Sequence, residues 1–377
     1  MKIYLVGGAV RDQLLNIPVV DKDYLVVGST PQEMLDSGFK PIGKDFPVFL
    51  HPKTKEEYAL ARTEKKVGIG HKGFTFYSSP EVTLEQDLER RDITINAIAV
   101  DENNNYIDPF NGIDDLKKNI IRHVSSAFEE DPLRVLRVAR FKAKLISFTI
   151  HKNTYDLMNR IVRSGEINHL SAERLMMELK KGFEQEHAFN MLEVLNDCGA
   201  IDYIFPKLEF KKNKDKIKNV LHVSRHLCES SPNKRLLLVL LVANHDDHNI
   251  NNRIYENIKK ISLPSFSQRL IELIEKNISE LVRFTSIEDS KQLDLFYRFD
   301  FFRRPKILNE SLDLLELIIK DNKNYSSHIL LARKLIECYK KIMINNQSEI
   351  DKALSGEQIK KAVYKERLSL LKKLKQS

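Results

Sequence analysis

The chain has 377 residues, of which 42% are hydrophobic and 30% charged, a composition that excludes a disordered protein and fits a globular one. Lysine and arginine number 61 against 53 aspartates and glutamates, a formal charge of +8 that favours a polyanionic partner without proving one. Three widely spaced cysteines form no disulfide framework and no CxxC pair, which predicts a reducing, cytoplasmic setting. Residues 1–12 lack a secretory pattern, and the longest apolar run, Leu236–Ala243, is far below the ~20 residues that span a bilayer.

The first ~120 residues predict a small mixed α/β domain, because short β-rich runs alternate with short helices. A strand is expected over Lys2–Val6, followed by a Gly-Gly pair and a helix, and a second strand over Asp21–Val27. Further strands are predicted over Val48–His51 and Glu56–Arg62. The segment Glu64–Thr83 contains three glycines and a proline without a clear period and predicts a mobile loop.

After Asp131 almost every segment has helical periodicity, with few glycines and with prolines between the helices. The predicted fold class is therefore α+β: a small mixed α/β head followed by an elongated all-α neck, body and tail. We place the head at residues 1–125, the neck at 126–205, and the body and tail at 206–377.

The first group of candidate functional residues combines a Gly-Gly pair with Asp21-x-Asp23. Side chains at i and i+2 of a strand share a face, so both carboxylates would point to one side. Such a pair suits Mg²⁺, which also takes oxygens from substrate phosphates. Gly8 would let backbone N–H groups approach a triphosphate, and Arg11 would supply a phosphate-binding guanidinium. The alternative is an exposed DxD after a glycine turn.

The second group is Arg90–Asp92, which a solvated charge run would also explain. In the third group, Asp131 precedes a proline and has a structural explanation as a helix N-cap. Arg134, Arg137 and Arg140 lie about 60° apart around one helix and share a broad face. That face suits an anion-binding wall, although a solvated face would have the same spacing.

Taken together, these groups resemble the class II tRNA nucleotidyltransferases, the CCA-adding enzymes of the DNA-polymerase-β-like superfamily. The matching pieces are GGAVRD at Gly7–Asp12, DKD at Asp21–Asp23, RRDITINA at Arg90–Ala97, EDPLRVLRVARF at Glu130–Phe141 and LSAERLMMELKKG at Leu170–Gly182. The likeness is strong over the first half of the chain and weak over the helical remainder.

The resemblance implies a monomeric enzyme with a nucleotidyltransferase head that adds or repairs CCA at the 3′ end of tRNA. It would use CTP, ATP and Mg²⁺ and no nucleic-acid template. Asp21 and Asp23 would be the catalytic metal ligands, and Asp131 with Arg134 would form an amino-acid template for the base. The other implied nucleotide-binding residues are Gly8, Arg11, Arg91, Asp92, Arg137 and Arg140, with Asp92 on the ribose. Glu57 is a weaker candidate for an auxiliary carboxylate.

Basic stretches at Lys207–Lys218, Arg303–Lys306 and Lys360–Lys375 are candidates for contacts with tRNA phosphates, although each also fits an ordinary solvated helix face. The implied mobile segment Glu64–Thr83 falls where the family has an element that switches from CTP to ATP.

Four alternatives remain open. A poly(A) polymerase shares the head but tends to carry a doubly basic pair where residues 43–47 read GKDFP. An enzyme that adds only adenosine is the second alternative, and a non-catalytic RNA-binding protein is the third. The fourth is a phosphohydrolase built on His245-Asp246, which is disfavoured because the next histidine after His248 is His328.

Overall fold

The chain forms two units in a computed structural model. The model describes residues 1–42, 48–66, 74–244, 253–319, 329–337 and 356–376. Unit 1 comprises Met1–Pro206 and Lys260–Ser262, and unit 2 comprises Lys207–Lys259 and Leu263–Ser377. The expected boundary between head and neck near residue 125 falls inside unit 1 and stays a prediction.

Unit 1 contains a seven-stranded mixed sheet with the strand order β3-β4-β5-β2-β1-β8-β9. Its strands are β1 (Lys2–Val6), β2 (Asp23–Val27), β3 (Lys40–Ile42), β4 (Val48–Leu50), β5 (Glu57–Leu60), β8 (Ala99–Val100) and β9 (Tyr106–Ile107). Among the described residues of this sheet, β2 and β5 pair in parallel and the other neighbouring strands pair antiparallel. Leu25 and Val26 alternate between two separate apolar clusters, as side chains on opposite faces of a strand must.

Two details of the head differ from the prediction. Strand β2 begins at Asp23 and not at Asp21, so Asp21 lies in the connection that precedes the strand. The expected mobile loop instead contains an antiparallel hairpin of β6 (Arg62–Lys66) and β7 (Phe74–Ser78). The aromatic and β-branched sequence of β7 favours a strand, and the glycines of this segment fall in residues 67–73, which lie outside the described part of the chain.

Helices of unit 1 flank this sheet and continue beyond it. They are α1 (Gly8–Leu14), α2 (Pro31–Asp36), α3 (Leu84–Glu89), α4 (Gly112–Lys117), α5 (Leu133–Lys144), α6 (Lys152–Arg163), α7 (Ala172–Phe183), α8 (Ala188–Asp197) and α9 (Ile201–Ile204). Two further strands of two residues each, β10 (Ile120–Ile121) and β11 (Thr149–Ile150), pair with each other in parallel. Helix α5 packs against α7 and α8, and its buried face includes Val135, Leu136 and Val138.

The described part of unit 2 is helical. Its helices are α10 (Phe210–Val223), α11 (Pro232–Asn244), α12 (Arg253–Ile261), α13 (Ser265–Leu281), α14 (Asp289–Arg298), α15 (Pro305–Ile319), α16 (residues 329–337) and α17 (Gly356–Gln376). None of the helices in the described ranges has the length and apolar character needed to cross a membrane. The predicted class, a mixed α/β head followed by an all-α remainder, is confirmed.

Candidate active site

A cleft of about 450 Å³ opens in unit 1 where β1 ends and β2 begins. Strand register places Asp23 opposite Val6 on β1 and opposite Glu57 on β5, so Asp23 lies beside the Gly-Gly turn that follows β1. Asp23 and Glu57 both line the cleft. The cleft is therefore built where the sequence predicts the carboxylates and the glycines to meet.

The glycine turn has a steric reason for its composition. Gly7 has a φ of +75°, and a Cβ atom there would lie 3.0 Å from an Nη atom of Arg91. A Cβ on Gly8 would lie 3.4 Å from an Nη atom of Arg11. A side chain at Gly7 would thus strain the backbone and require the guanidinium of Arg91 to shift by a few tenths of an ångström.

Asp23 is accessible to solvent, but protein surrounds it on the side of the sheet. This partial burial raises the pKa of Asp23, Arg91 lowers it in part, and the negative charge of Asp21 raises it again. The two carboxylates therefore lie close enough to repel each other. Such a pair is more stable with a cation nearby.

One buried carboxylate fixes the two consecutive arginines after α3. Asp87 Oδ1 accepts from Arg90 Nη2 at 2.6 Å, and Asp87 Oδ2 accepts from Arg91 Nη2 at 3.2 Å. Burial alone would raise the pKa of Asp87, but the two guanidinium groups outweigh it and the pKa is lowered. Both arginines line the cleft, so their positive charges are held in place before any ligand arrives.

Asp92 is the centre of a second buried network. Its Oδ1 accepts from the backbone of Ile93 at 2.9 Å and from Asn96 at 3.1 Å, and its Oδ2 accepts from Arg137 Nε at 2.8 Å. Burial opposes the charge of Asp92, yet the guanidinium of Arg137 holds its pKa well below the usual range. The same interaction raises the pKa of Arg137.

Glu178 on α7 extends this network to Arg140. Its Oε2 lies 2.7 Å from Arg140 Nε, and its Oε1 lies 3.5 Å from Arg137 Nη1. Burial lowers the pKa of Arg140, and Glu178 opposes that shift. Arg140 is also stacked over the ring of Phe141 at 4.6 Å. Arg140 does not line the cleft, so it supports Arg137 from behind, through Glu178.

Arg11 also lies behind the cleft. Its guanidinium donates to Asp12 at 2.8 Å and to Asn96 at 2.6 Å, and it is 4% exposed. Lys144 on α5 donates to the other oxygen of Asp12 at 2.8 Å. Arg11 is not among the residues that line the cleft, and its guanidinium lies close to Gly8, so its direct contact with phosphate stays a prediction.

Asp131 and Arg134 lie at the start of α5 and line the cleft together. Asp131 Oδ1 accepts from the backbone N–H of Leu133 at 3.1 Å. Helix α5 begins at Leu133 with Pro132 as its N-cap, so the predicted N-cap at Asp131 is wrong by one residue. Arg134 donates to the backbone carbonyls of Ala127 and Arg90, at 2.8 and 2.6 Å. Both side chains are therefore fixed by the fold.

A residue that sequence reasoning missed completes this corner. Arg174 on α7 lines the cleft and donates to Asp131 Oδ2 at 2.7 Å. Glu178 was missed as well, and the two lie four residues apart on one face of α7. Both are in the segment Leu170–Gly182, where charged residues recur among buried leucines. The four-residue spacing of Arg174 and Glu178 could have predicted that both side chains lie on the same face of this helix.

The cleft thus gathers most of the residues that the sequence singled out. Those that line it are Gly8, Asp23, Glu57, Arg91, Asp92, Asp131, Arg134 and Arg137. Asp21, Arg11 and Arg140 stand outside its lining. Among the described residues there is no cluster of three or more histidine, cysteine, aspartate or glutamate side chains suited to a metal ion. His245 and Asp246 lie outside the described residues, as do residues 43–47.

Family models match two parts of the chain. Residues 3–122 match the Poly A polymerase head domain, and residues 147–212 match the probable RNA and SrmB-binding site of polymerase A. Together with the mixed sheet and the arginine-lined cleft, the head match defines a nucleotidyltransferase.

Similar proteins narrow this class. The CCA-adding enzyme of Coxiella burnetii (strain RSA 493 / Nine Mile phase I) is 40% identical over 99% of this chain and 96% of that protein. The multifunctional CCA protein of Methylobacillus flagellatus is 56% identical over 55% of this chain and 51% of that protein. A solved CCA-adding enzyme in complex with CTP is 26% identical, covers 99% of this chain and 87% of that chain, and has a TM-score of 0.68. The chain belongs to the family of CCA-adding enzymes, the tRNA nucleotidyltransferases.

Proposed function

We propose that the cleft of unit 1 binds CTP or ATP and transfers its nucleotide to the 3′-hydroxyl of tRNA, adding C, C and A without a template and releasing pyrophosphate. The observation that carries this proposal is the position of Asp23. It lies beside the Gly-Gly turn and faces a cleft lined by Arg62, Arg90, Arg91, Arg134, Arg137 and Arg174. Carboxylates for a cation and guanidinium groups for phosphates therefore occupy one space.

Asp21 and Asp23 are the residues that would hold Mg²⁺. The fit rests on the raised pKa of Asp23, which burial and Asp21 cause, and on Glu57 beside Asp23 in register. Oxygen donors in this arrangement suit a hard divalent cation that completes its shell with water and phosphate. When bound, such an ion would lower the pKa of the attacking hydroxyl and neutralise charge on the leaving pyrophosphate.

Arg91 and Arg137 would bind the triphosphate. Their guanidinium groups are already held by Asp87 and Asp92, so little side-chain entropy remains to be lost on binding. Asp92 has a second use here, because it orients Arg137 in addition to the ribose contact expected from the family. Arg11 and Arg140 would act through these residues as positioning groups.

Asp131 and Arg134 would read the base. A carboxylate accepts from the exocyclic amine of C or A, whereas a guanidinium donates to the adjacent ring acceptor. G and U present a carbonyl where the amine should be, which leaves the carboxylate facing another acceptor. One good bidentate contact discriminates by about 1–3 kcal/mol. The bond from Arg174 to Asp131 would hold the carboxylate in place for this reading.

The tRNA would be held by unit 2 through backbone charge, with basic residues on α10 and α17 as candidates. The proposal also includes the oligomeric state and the cellular location of the chain. The chain would act as a monomer, which light scattering tests. It would work in the cytoplasm, in keeping with its three widely spaced cysteines, which form no CxxC pair.

One assay tests the proposal against its alternatives. The chain is incubated with a tRNA that lacks its last three nucleotides, Mg²⁺, and labelled CTP and ATP, separately and together. The expected products are two C additions followed by one A and then a stop. Long adenosine tails would indicate a poly(A) polymerase, and A without C would indicate an A-adding enzyme. Binding of tRNA without incorporation would indicate a non-catalytic protein.

A further inference from the structure

Asn96 lies in the wall of the nucleotide cleft and is a buried polar residue. It is 6% exposed and lines the cleft together with Arg91 and Asp92 of the same segment. The sequence analysis singled out those two neighbours but not Asn96. The chain turns through a short 3-10 helix, Thr94–Asn96, which brings the side chain of Asn96 back beside Asp92.

The side-chain amide of Asn96 joins a buried cation to a buried anion. Its Oδ1 accepts from Arg11 Nη1 at 2.6 Å, and its Nδ2 donates to Asp92 Oδ1 at 3.1 Å. A guanidinium offers only donors and an ionised carboxylate only acceptors, whereas an amide has one group of each kind. An apolar side chain of the same size would leave both partners without this bond, and an aspartate would repel Asp92.

The backbone of Asn96 contacts a second arginine. Its carbonyl oxygen accepts from Arg91 Nη1 at 3.3 Å. The two arginines that Asn96 bonds are also the ones that lie against the glycine turn. A Cβ atom on Gly7 would lie 3.0 Å from Arg91 Nη1, and one on Gly8 would lie 3.4 Å from Arg11 Nη2. Asn96 therefore holds both guanidinium groups that pack against the Gly-Gly pair.

Through Asp92, Asn96 also affects Arg137 on α5. Asp92 Oδ1 accepts from Asn96 and from the backbone of Ile93, whereas Asp92 Oδ2 accepts from Arg137 Nε at 2.8 Å. Bonds on both oxygens fix the rotation of the carboxylate and, with it, the direction of the guanidinium of Arg137. Loss of the Asn96 bond would free one side of this carboxylate.

We propose that Asn96 is a positioning residue for the triphosphate and ribose of the incoming CTP or ATP. The inference rests on the proposed function and adds to it a group that acts through Arg91, Asp92 and Arg137. Asp131 and Arg134, which would read the base, are held by other partners. Asn96 should therefore affect every nucleotide alike and leave the choice between bases unchanged.

The first test is Asn96→Leu in the full chain, a change that keeps the size of the side chain and removes both of its bonds. The Kd values for CTP and for ATP are measured by isothermal titration calorimetry with Mg²⁺ and without tRNA. Both should rise by about 10-fold, the scale of a lost hydrogen bond to a charged group. The ratio of kcat/KM for CTP over UTP and the Kd for tRNA should stay at the wild-type values.

The second test is the pH dependence of Asn96→Asp. The charged groups that face this position are Arg11, Arg91 and Asp92, with Arg137 behind Asp92. The new carboxylate still accepts from Arg11 but repels Asp92, and a proton bound between the two carboxylates restores the donated bond. Since paired carboxylates take up a proton at higher pH than a single one, the weakening relative to wild type should shrink from pH 8 to pH 6. For Asn96→Leu the weakening should be the same at both pH values.

The matched control is Asn277→Asp on α13 in unit 2. Asn277 is 2% exposed, accepts from Arg298 Nη1 at 2.6 Å and donates to the carbonyl oxygen of Leu273 at 2.7 Å. It thus has the same burial and the same kind of arginine bond as Asn96, away from the cleft lining. Asn277→Asp should leave the Kd for CTP unchanged at both pH values.

Three results would overturn the inference: Asn96→Leu binding CTP as tightly as the control, a loss of base selectivity as large as the loss of affinity, or a weakening in Asn96→Asp that does not change with pH. If Asn96→Leu fails to fold, the pH dependence of Asn96→Asp decides the question. A wild-type chain that binds CTP but adds no nucleotide to tRNA contradicts the proposed function and leaves the role of Asn96 in nucleotide binding standing.

Discussion

The arginines of the nucleotide cleft in unit 1 and those around Asp300 in unit 2 are held differently. At the cleft, the arginines are paired with Asp87, Asp92 and Glu178, which are nearly inaccessible to solvent. Around Asp300, Arg303 and Arg304 share a single carboxylate, and their side chains are 82% and 76% exposed. Buried carboxylates therefore fix the cations of unit 1, whereas these two cations of unit 2 remain largely exposed to water.

The largest expected difference between the two regions is in stability. Asp92→Asn should lower the free energy of unfolding of unit 1 by about 3–5 kcal/mol at pH 7, since breaking a buried ion pair leaves Arg137 without its main partner. Because the native pKa of Asp92 is depressed, its contribution is present above the unfolded pKa of about 4. The difference in free energy of unfolding between the variant and the wild type should therefore become smaller as the pH falls below about 4. Urea denaturation across pH measures both effects.

The control for this prediction is an exposed pair in unit 2. Glu357 lies 3.7 Å from Lys361 one turn along α17, and both are largely exposed. Glu357→Gln should change stability by less than about 0.5 kcal/mol. Equal losses in the two variants would remove the distinction between buried and exposed charge.

The next effect concerns base selection. Arg174→Gln should lower the ratio of kcat/KM for CTP over UTP by about 10-fold, because Asp131 loses the bond that orients it. Arg174→Lys retains the charge and should recover part of the ratio. A variant that is slower with every nucleotide and equally selective would show that Arg174 has only a structural role.

A smaller effect should appear in the pH profile. Metal binding needs ionised Asp23. Because the pKa of Asp23 is raised, kcat/KM should begin to fall, along the acid limb of the profile, at a higher pH than the pKa of an ordinary aspartate would give. Arg91 lowers that pKa, so Arg91→Gln should move the limb to higher pH, whereas Arg91→Lys should leave it near the wild-type position. The position of the limb is the readout, independent of the height of the profile. Coincident limbs in all three proteins would contradict the electrostatic coupling.

The smallest expected effect is at a surface contact of unit 2. Arg367 on α17 lies 3.6 Å from the ring centroid of Phe302 and donates to Tyr297 at 3.0 Å. Arg367→Ala should cost about 0.5–1 kcal/mol, as partly exposed cation–π contacts do. Thermal unfolding compared with Lys361→Ala, one exposed position on the same helix, isolates this contribution. A loss of stability as large as that of Asp92→Asn would contradict the difference between buried and exposed charges.

The sequence was sufficient to predict the class of fold and the main residues of the cleft. Short-range patterns explain this success, because the Gly-Gly pair, Asp23 and Arg91 lie in ordered motifs next to strands or helices. The alternation of the head and the helical period after Asp131 likewise depend only on neighbouring residues. Both were confirmed in the fold.

What the sequence did not predict depends on packing between distant segments. Glu178 meets Arg137 across 41 positions, and Arg174 meets Asp131 across 43. Arg11 does not line the cleft, because its guanidinium donates to Asn96 and Asp12, and neither partner was predicted. The hairpin of β6 and β7 was missed because the glycines between its strands dominated the pattern of the whole segment.

Asp23→Asn tests most directly whether Asp21 and Asp23 form the catalytic centre of a CCA-adding enzyme. The variant keeps the shape of the side chain and removes its charge. Nucleotide incorporation into tRNA lacking CCA should fall by about 10³-fold or more, while the Kd for tRNA stays at the wild-type value. Asp114→Asn, at an exposed aspartate on α4, should retain full activity. Wild-type incorporation by Asp23→Asn would contradict the account.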